Sequence, residues 1–197
     1  GSYLDILARG GGILSTVAQT REASAQALAE LALPRLKRFL SAGVTTCEVK
    51  SGYGLDVANE IKILEVVRAL STMQPVRLVP TLLGAHALPH EFRTKRDAYV
   101  RTIVEEMIPE VAERKLAEAC DVFVEEGAFR VDEARAILTA AKAAGLRVKL
   151  HAGQFKDLGG PELAAELGAL SADHLVRVSD EGSWAATDNA AGGDYSL

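Results

Sequence analysis

One alternation constrains this chain more than anything else: short apolar runs, rich in β-branched residues, each lead into a longer segment of helical periodicity. The short runs are Val44–Val49, Val76–Leu83, Asp121–Val124, Arg147–Leu150 and Ser171–Leu175. The segments that follow them are Val57–Leu70, Thr94–Glu113, Asp132–Ala144 and Pro161–Leu167, with a weak helix start at Ser179 after the fifth run. A further amphipathic stretch, Ser24–Ala42, precedes the first run; Ser24 is a good N-cap, Pro34 predicts a kink, and Gly43 ends it. Thr94 with Asp97 resembles a capping box. Parallel neighbours need a crossover of helix length, so the alternation predicts an α/β fold of parallel βα units. An open doubly wound sheet and a (β/α)8 barrel both satisfy it, and five strands by count favour the open sheet.

Composition narrows the class of partner. The 197 residues are 48% hydrophobic and 25% charged, a balance that disfavours disorder and coiled coil. Lys and Arg number 22 against 27 Asp and Glu, and this net charge of −5 argues against nucleic acid. Cys47 and Cys120 lie in apolar runs with no ligand-spaced neighbour, which predicts neither disulfide nor zinc knuckle and fits a reducing, cytoplasmic setting. No apolar stretch reaches the roughly 18 residues of a spanning helix and no signal-like amino terminus is present, so no membrane partner is expected. The stretch Ala190–Leu197 loses apolar periodicity; residues 1–182 are read as one domain and 183–197 as an irregular tail.

Polar residues of unusual type collect after the strands. Lys50 and Tyr53 follow the first, His86 and His90 the second, Glu125 and Glu126 the third, His151 and Gln154 the fourth, and His174 closes the fifth. Ligand sites of parallel α/β folds sit at this carboxyl edge. His151 is a candidate metal ligand or base, beside the Gln154 amide. His174 is a candidate acid or base, with a backbone-bonded core histidine as the alternative. Strand alternation predicts that His174 and Asp173 point apart. Small neighbours let a ligand approach His86, and the glycines of Ser51-Gly52-Tyr53-Gly54 could raise the Tyr53 phenol over a pocket. Pro89 removes the helical spacing that would pair His90 with His86, so His90 is read as surface. Lys50 is an imine-forming amine, a carbamylated metal bridge or, by default, an ion-pair partner; Glu125 and Glu126 are capping or solvated unless one is a ligand. Gly10-Gly11-Gly12 lacks the strand and the Lys-Ser/Thr of a phosphate loop.

The strings Gly11-Gly12-Ile13, Gly43-Val44-Thr45-Thr46, Glu48-Val49-Lys50-Ser51-Gly52-Tyr53-Gly54-Leu55, Leu83-Gly84-Ala85-His86-Ala87, His151-Ala152 and Ser171-Ala172-Asp173-His174-Leu175 together resemble the imidazolonepropionases. The resemblance runs from about Tyr3 to Gly182. It implies a metal-dependent amidohydrolase, with the five βα units forming part of a TIM-like (β/α)8 barrel rather than an open sheet. It implies hydrolysis of 4-imidazolone-5-propanoate to N-formimidoyl-L-glutamate in histidine degradation, with one zinc or iron ion. By the same resemblance His151 is a metal ligand, Tyr53 and His86 hold the substrate, Gln154 contacts it, and His174 is the catalytic histidine. The family's His-x-His pair is absent from this chain, and Asp188 follows His174 too closely to be the later Asp ligand. Val124 stands where the family pattern has Cys, and Gly153 where it has Asp. The chain therefore reads as a segment truncated at both ends, of reduced activity, with open strand edges that invite homo-oligomers. The competing readings are an aldolase-type lyase using Lys50 and a non-catalytic small-molecule-binding fragment retaining Tyr53, His86 and Gln154.

Overall fold

The computed structural model describes residues 13–179. Two helices come first, α1 (Ile13–Glu22) and α2 (Ala25–Ser41). The βα units follow: β1 (Thr46–Lys50) and α3 (Val57–Met73), then β2 (Arg77–Ala85), the short 3-10 turn His90–Phe92 and α4 (Arg96–Thr102). A π-helical turn, Ile103–Met107, joins α4 to α5 (Ile108–Glu113). The remaining elements are β3 (Ala119–Val124), α6 (Val131–Ala143), β4 (Arg147–Ala152), α7 (Gly160–Leu167) and β5 (Ala172–His174). Gly10–Gly12, Asp188 and the 183–197 tail lie outside the described residues.

All five strands pair in parallel, in the spatial order β1-β2-β3-β4-β5. That order decides what the strand count could not. A doubly wound sheet reverses direction at a switch point, whereas here every crossover moves one strand onward in the same direction, and parallel crossovers are as a rule right-handed. Helices then stack on one face and the sheet curls into a half-barrel, so the open-sheet expectation from the count is corrected to part of a (β/α) barrel.

The helix-bearing face is apolar. Cys120, Val122 and Val124 of β3 and Val148, Leu150 and Ala152 of β4 are buried, and they join Ile137, Leu138 and Ala141 of α6 and Leu163 of α7 in one cluster. Local signals place several boundaries as read from sequence. The Ser24 side chain accepts from Ala27 N–H, and Pro34 is absorbed within one continuous α2. The Thr94–Asp97 box does not form: Lys95 holds the cap position of α4 without a side-chain bond. The π turn lies just before Pro109, where the missing N–H and bulky ring upset the α-helical ladder one turn back. α1 escaped the sequence reading; Ile13 and Val17 are its only buried residues, too few to make a clear stripe.

A bulge in β2 positions the edge. Leu82 pairs with Cys120 and Ala85 with Val122, so β2 spends one residue more than β3 over this stretch. Its carbonyl at Gly84 accepts 2.8 Å from the buried Tyr99 hydroxyl, and a Cβ at Gly84 would stand 2.8 Å from the Met107 sulfur. A side chain at this position would require the buried Met107 side chain to shift.

Candidate functional site

Opposite the helices, the other face of the sheet carries charge. β1 presents Glu48 and Lys50, β2 Thr81, β3 Asp121, β4 Lys149 and His151, and β5 Asp173. The Lys50 ammonium lies 2.5 Å from Asp121 Oδ2, 2.6 Å from Asp173 Oδ2 and 3.7 Å from Glu48 Oε2. Lys149 donates to Glu48 Oε2 at 2.7 Å, and the Thr81 hydroxyl donates to Glu48 Oε1 at 2.6 Å. Ser171 donates to the second oxygen of Asp173 at 3.0 Å. Burial by itself would drive the Lys50 pKa down, but Asp121 and Asp173 outweigh it and hold the amine above its ordinary value. Lys50 in return keeps Asp173 ionised below its usual range, against the opposing effect of burial.

Asp121 has no solvent exposure, and its Oδ1 has no hydrogen-bond partner among the described residues. His151 Nδ1 approaches the other oxygen to 2.9 Å, at an angle that is not that of a hydrogen bond. Candidate ligand atoms of Asp121, His151 and Asp173 all fall within 4.8 Å of one another. This oxygen and nitrogen donor set, with one orphaned carboxylate oxygen, fits a divalent cation.

The predicted site residues form a row along the carboxyl edge. Tyr53 meets His86 edge-on with ring centroids 5.2 Å apart, His86 lies 6.1 Å from Phe123, Phe123 6.0 Å from His151, and His151 5.2 Å from His174. His174 reaches this row because its backbone is left-handed, φ +79°, which breaks the alternation that would have turned it outward. Asp173 stays with Lys50, so the two neighbours do point to different partners, as expected. Burial, reinforced by the nearby His151, holds the His174 pKa below its ordinary value. The His86 pKa is also lowered, chiefly by burial. His86 Nδ1 lies 2.9 Å from the Gly52 carbonyl, which can only accept, so Nδ1 carries the proton and Nε2 is left as an acceptor. Gln154 lies half-buried in the turn after β4, and its side chain makes no hydrogen bond among the described residues.

Glu60 of α3 holds the Tyr53 loop. It is fully buried, and its carboxylate accepts from the backbone N–H groups of Gly52 (2.9 Å), Gly54 (2.7 Å) and Leu55 (2.8 Å). Arg21 closes the same loop from α1 through the carbonyls of Gly54 and Leu55. Gly52 is required here: its φ is +91°, and a Cβ would stand 2.9 Å from Leu83 O and 3.0 Å from His86 Nδ1. Glu125 is a clamp too, accepting from Phe155 N–H (2.8 Å) and so tying the loop after β3 to the loop after β4. Glu126 is exposed and pairs with Lys156, and His90 is exposed in the 3-10 turn.

The sequence reading passed over Asp121, Glu48, Lys149 and Glu60. A signal existed for the first: an aspartate inside Ala119-Cys120-Asp121-Val122-Phe123-Val124 has to be paired or ligating to be there. Glu60 left none, because an acidic residue in a first helical turn is ordinary on an exposed surface.

Fold and edge together define the class, a segment of a (β/α) barrel with a histidine- and carboxylate-rich centre at the carboxyl ends of its strands. No family model matches the chain. Curated relatives do: it is 58% identical to the imidazolonepropionase of Myxococcus xanthus (strain DK1622) over 187 residues, 95% of this chain and 44% of that protein. It is 54% identical to the imidazolonepropionase of Geobacillus kaustophilus (strain HTA426) over 181 residues, 92% of this chain and 43% of that one. By sequence the chain is similar to curated imidazolonepropionases, of which it spans less than half the length.

Proposed function

We propose that this chain supplies the substrate pocket and the proton-handling side of an imidazolonepropionase centre, which hydrolyses 4-imidazolone-5-propanoate to N-formimidoyl-L-glutamate. The row of rings from Tyr53 to His174 is the observation that carries this reading. Tyr53 and His86 flank the imidazolone ring, and the His86 Nε2 lone pair accepts a ring N–H. The Gln154 amide, unengaged within the described residues, contacts the substrate from the next loop. His174 is the catalytic acid-base. Its depressed pKa keeps it neutral near pH 7, ready to take the proton of the attacking water and return it to the departing ring nitrogen as the carbonyl C–N bond breaks.

His151 would hold a single zinc or iron ion, with Asp121 beside its ring. When bound, such an ion supplies Lewis acidity that polarises the carbonyl and acidifies water. The chain's own share is to orient and to buffer. Asp121 faces the His151 ring, and Lys50 offsets the charge of the two aspartates. Lys50 is not an imine-forming nucleophile in this reading, because two carboxylates hold it as an ammonium. The thiols of Cys47 and Cys120 are free and no helix among the described residues is long and apolar enough to cross a membrane, which supports a cytoplasmic placement.

The test is elemental analysis of the purified chain with a turnover assay on imidazolonepropionate near neutral pH. One zinc or iron per chain with turnover is the expected result for a complete centre. A metal-free, inactive chain that still binds a substrate analogue supports instead the second reading, a binding module. That reading is favoured by the resemblance, which gives His151 as the one metal-ligand position among the described residues.

A further inference from the structure

The charged face of the half-barrel holds three carboxylates, from Glu48, Asp121 and Asp173, against two ammonium groups, Lys50 and Lys149. Among the described residues, Lys50 alone touches both aspartates. Oxygen and nitrogen ligands at about 2.0 to 2.6 Å from one ion stand no more than about 5 Å apart. The donor atoms of Asp121, Asp173 and His151 already meet that condition within 4.8 Å, and the Nζ of Lys50 is 2.5 and 2.6 Å from the two carboxylates. A second observation points the same way. Asp121 is fully buried with one oxygen unpartnered among the described residues, so the ammonium leaves unsatisfied a carboxylate oxygen that an ion of higher charge and coordination number can take.

We propose that the Lys50 ammonium occupies a latent divalent-cation site formed by Asp121, Asp173 and His151, and so limits how many metal ions this edge can hold. With Lys50 present, the cluster carries one net negative charge and tolerates it on a partly exposed face. Without Lys50 it carries two, the charge a divalent ion neutralises. The cluster itself rests on geometry alone; only the consequence, a centre kept to one ion, rests on the hydrolase reading. Lys50 is thus a specificity-determining residue for metal number, acting by charge and position.

The experiment titrates Mn²⁺ into the full chain and counts bound ions by calorimetry and elemental analysis, with no turnover involved. Lys50→Met is expected to bind one Mn²⁺ more per chain than the unaltered protein. Lys50→Arg, which keeps the cation, is expected to gain none, and adding Asp173→Asn to Lys50→Met should abolish the gain. Equal stoichiometry in Lys50→Met and the unaltered chain overturns the proposal, as does a gain that survives Asp173→Asn. Should Lys50→Met unfold in chelator, recovery of its circular dichroism at one equivalent of Mn²⁺ supports the proposal and failure to recover refutes it. A failed imidazolonepropionase assay leaves these counts unaffected, so the two readings fail separately.

Discussion

The two faces of one sheet obey different rules. Toward the helices, β3 and β4 alternate Cys120, Val122, Val124 and Val148, Leu150, Ala152, all buried in the main apolar cluster. Toward the barrel axis the same strands alternate Asp121 with Phe123 and Lys149 with His151, and polar groups are matched to one another across neighbouring strands. The first face is selected by area removed from water, a non-directional quantity that many side chains could supply. The second is selected by position and sign, since each carboxylate needs a cation within reach. Stability can therefore reside on one face while chemistry is assembled on the other.

Exchanging the rules should break the molecule most severely. Leu150 is fully buried, and Leu150→Asp places an unpaired carboxylate under α6 and α7. The expected outcome is loss of a cooperative urea transition. Removing a member of the charged face comes next. Asp121→Ala leaves Lys50 and His151 without their shared partner and is expected to cost about 3 to 5 kcal/mol in urea unfolding, with any His151-dependent metal binding weakened as well.

A smaller effect tests whether the charged face depends on loops anchored behind it. Glu60→Gln turns an acceptor oxygen toward the N–H groups of Gly52, Gly54 and Leu55 into a donor. The expected cost is about 2 kcal/mol, with faster hydrogen exchange at those three amides and weaker binding of a substrate analogue. Were exchange at these amides unchanged, the loop would be held by Arg21 alone.

The mildest test is pH. Lys50 is raised in the folded state, so its contribution is fully present below the ordinary value of 10.5 and is lost as pH rises through the higher folded value. Asp173 is lowered, so its contribution is present above the ordinary 3.8 and is lost as pH falls through the lower folded value. His86 and His174 are lowered from 6.5, so below that pH the unfolded chain binds protons that the folded chain resists, and stability declines on acidification. Thermal melts from about pH 3 to 12 are expected to show both the acid and the alkaline slopes, and Lys50→Met should remove its share of the alkaline one.

Legibility differed between the faces in the same way. The apolar face could be read because burial leaves a periodic trace: Val148 and Leu150 repeat at the strand period, and Ile137, Leu138 and Ala141 at the helix period. The histidines at the strand ends could be read because His is rare and the edge is known from the alternation. Asp121 was passed over as the first residue of a strand, although the strand begins earlier, at Ala119. Alternation correctly set His174 and Asp173 on different partners, but it carried no sign of the left-handed backbone at His174. The β2 bulge left no trace, because an extra residue changes register only relative to a partner strand.

By itself the sequence determined the class of fold, the order of its elements and the motifs that tie it to the imidazolonepropionases, because local periodicity, capping and turn chemistry act over a few residues. Tertiary structure alone decided that the strands follow one another around a half-barrel, that Lys50 reaches Asp121 and Asp173, and that Glu60 grips the Tyr53 loop. Lys50 and Asp173 are 123 residues apart, and no local pattern encodes which charge finds which across such a distance. Parallel pairing of β1 through β5 brings them together, and electrostatics on a partly buried face keeps them there.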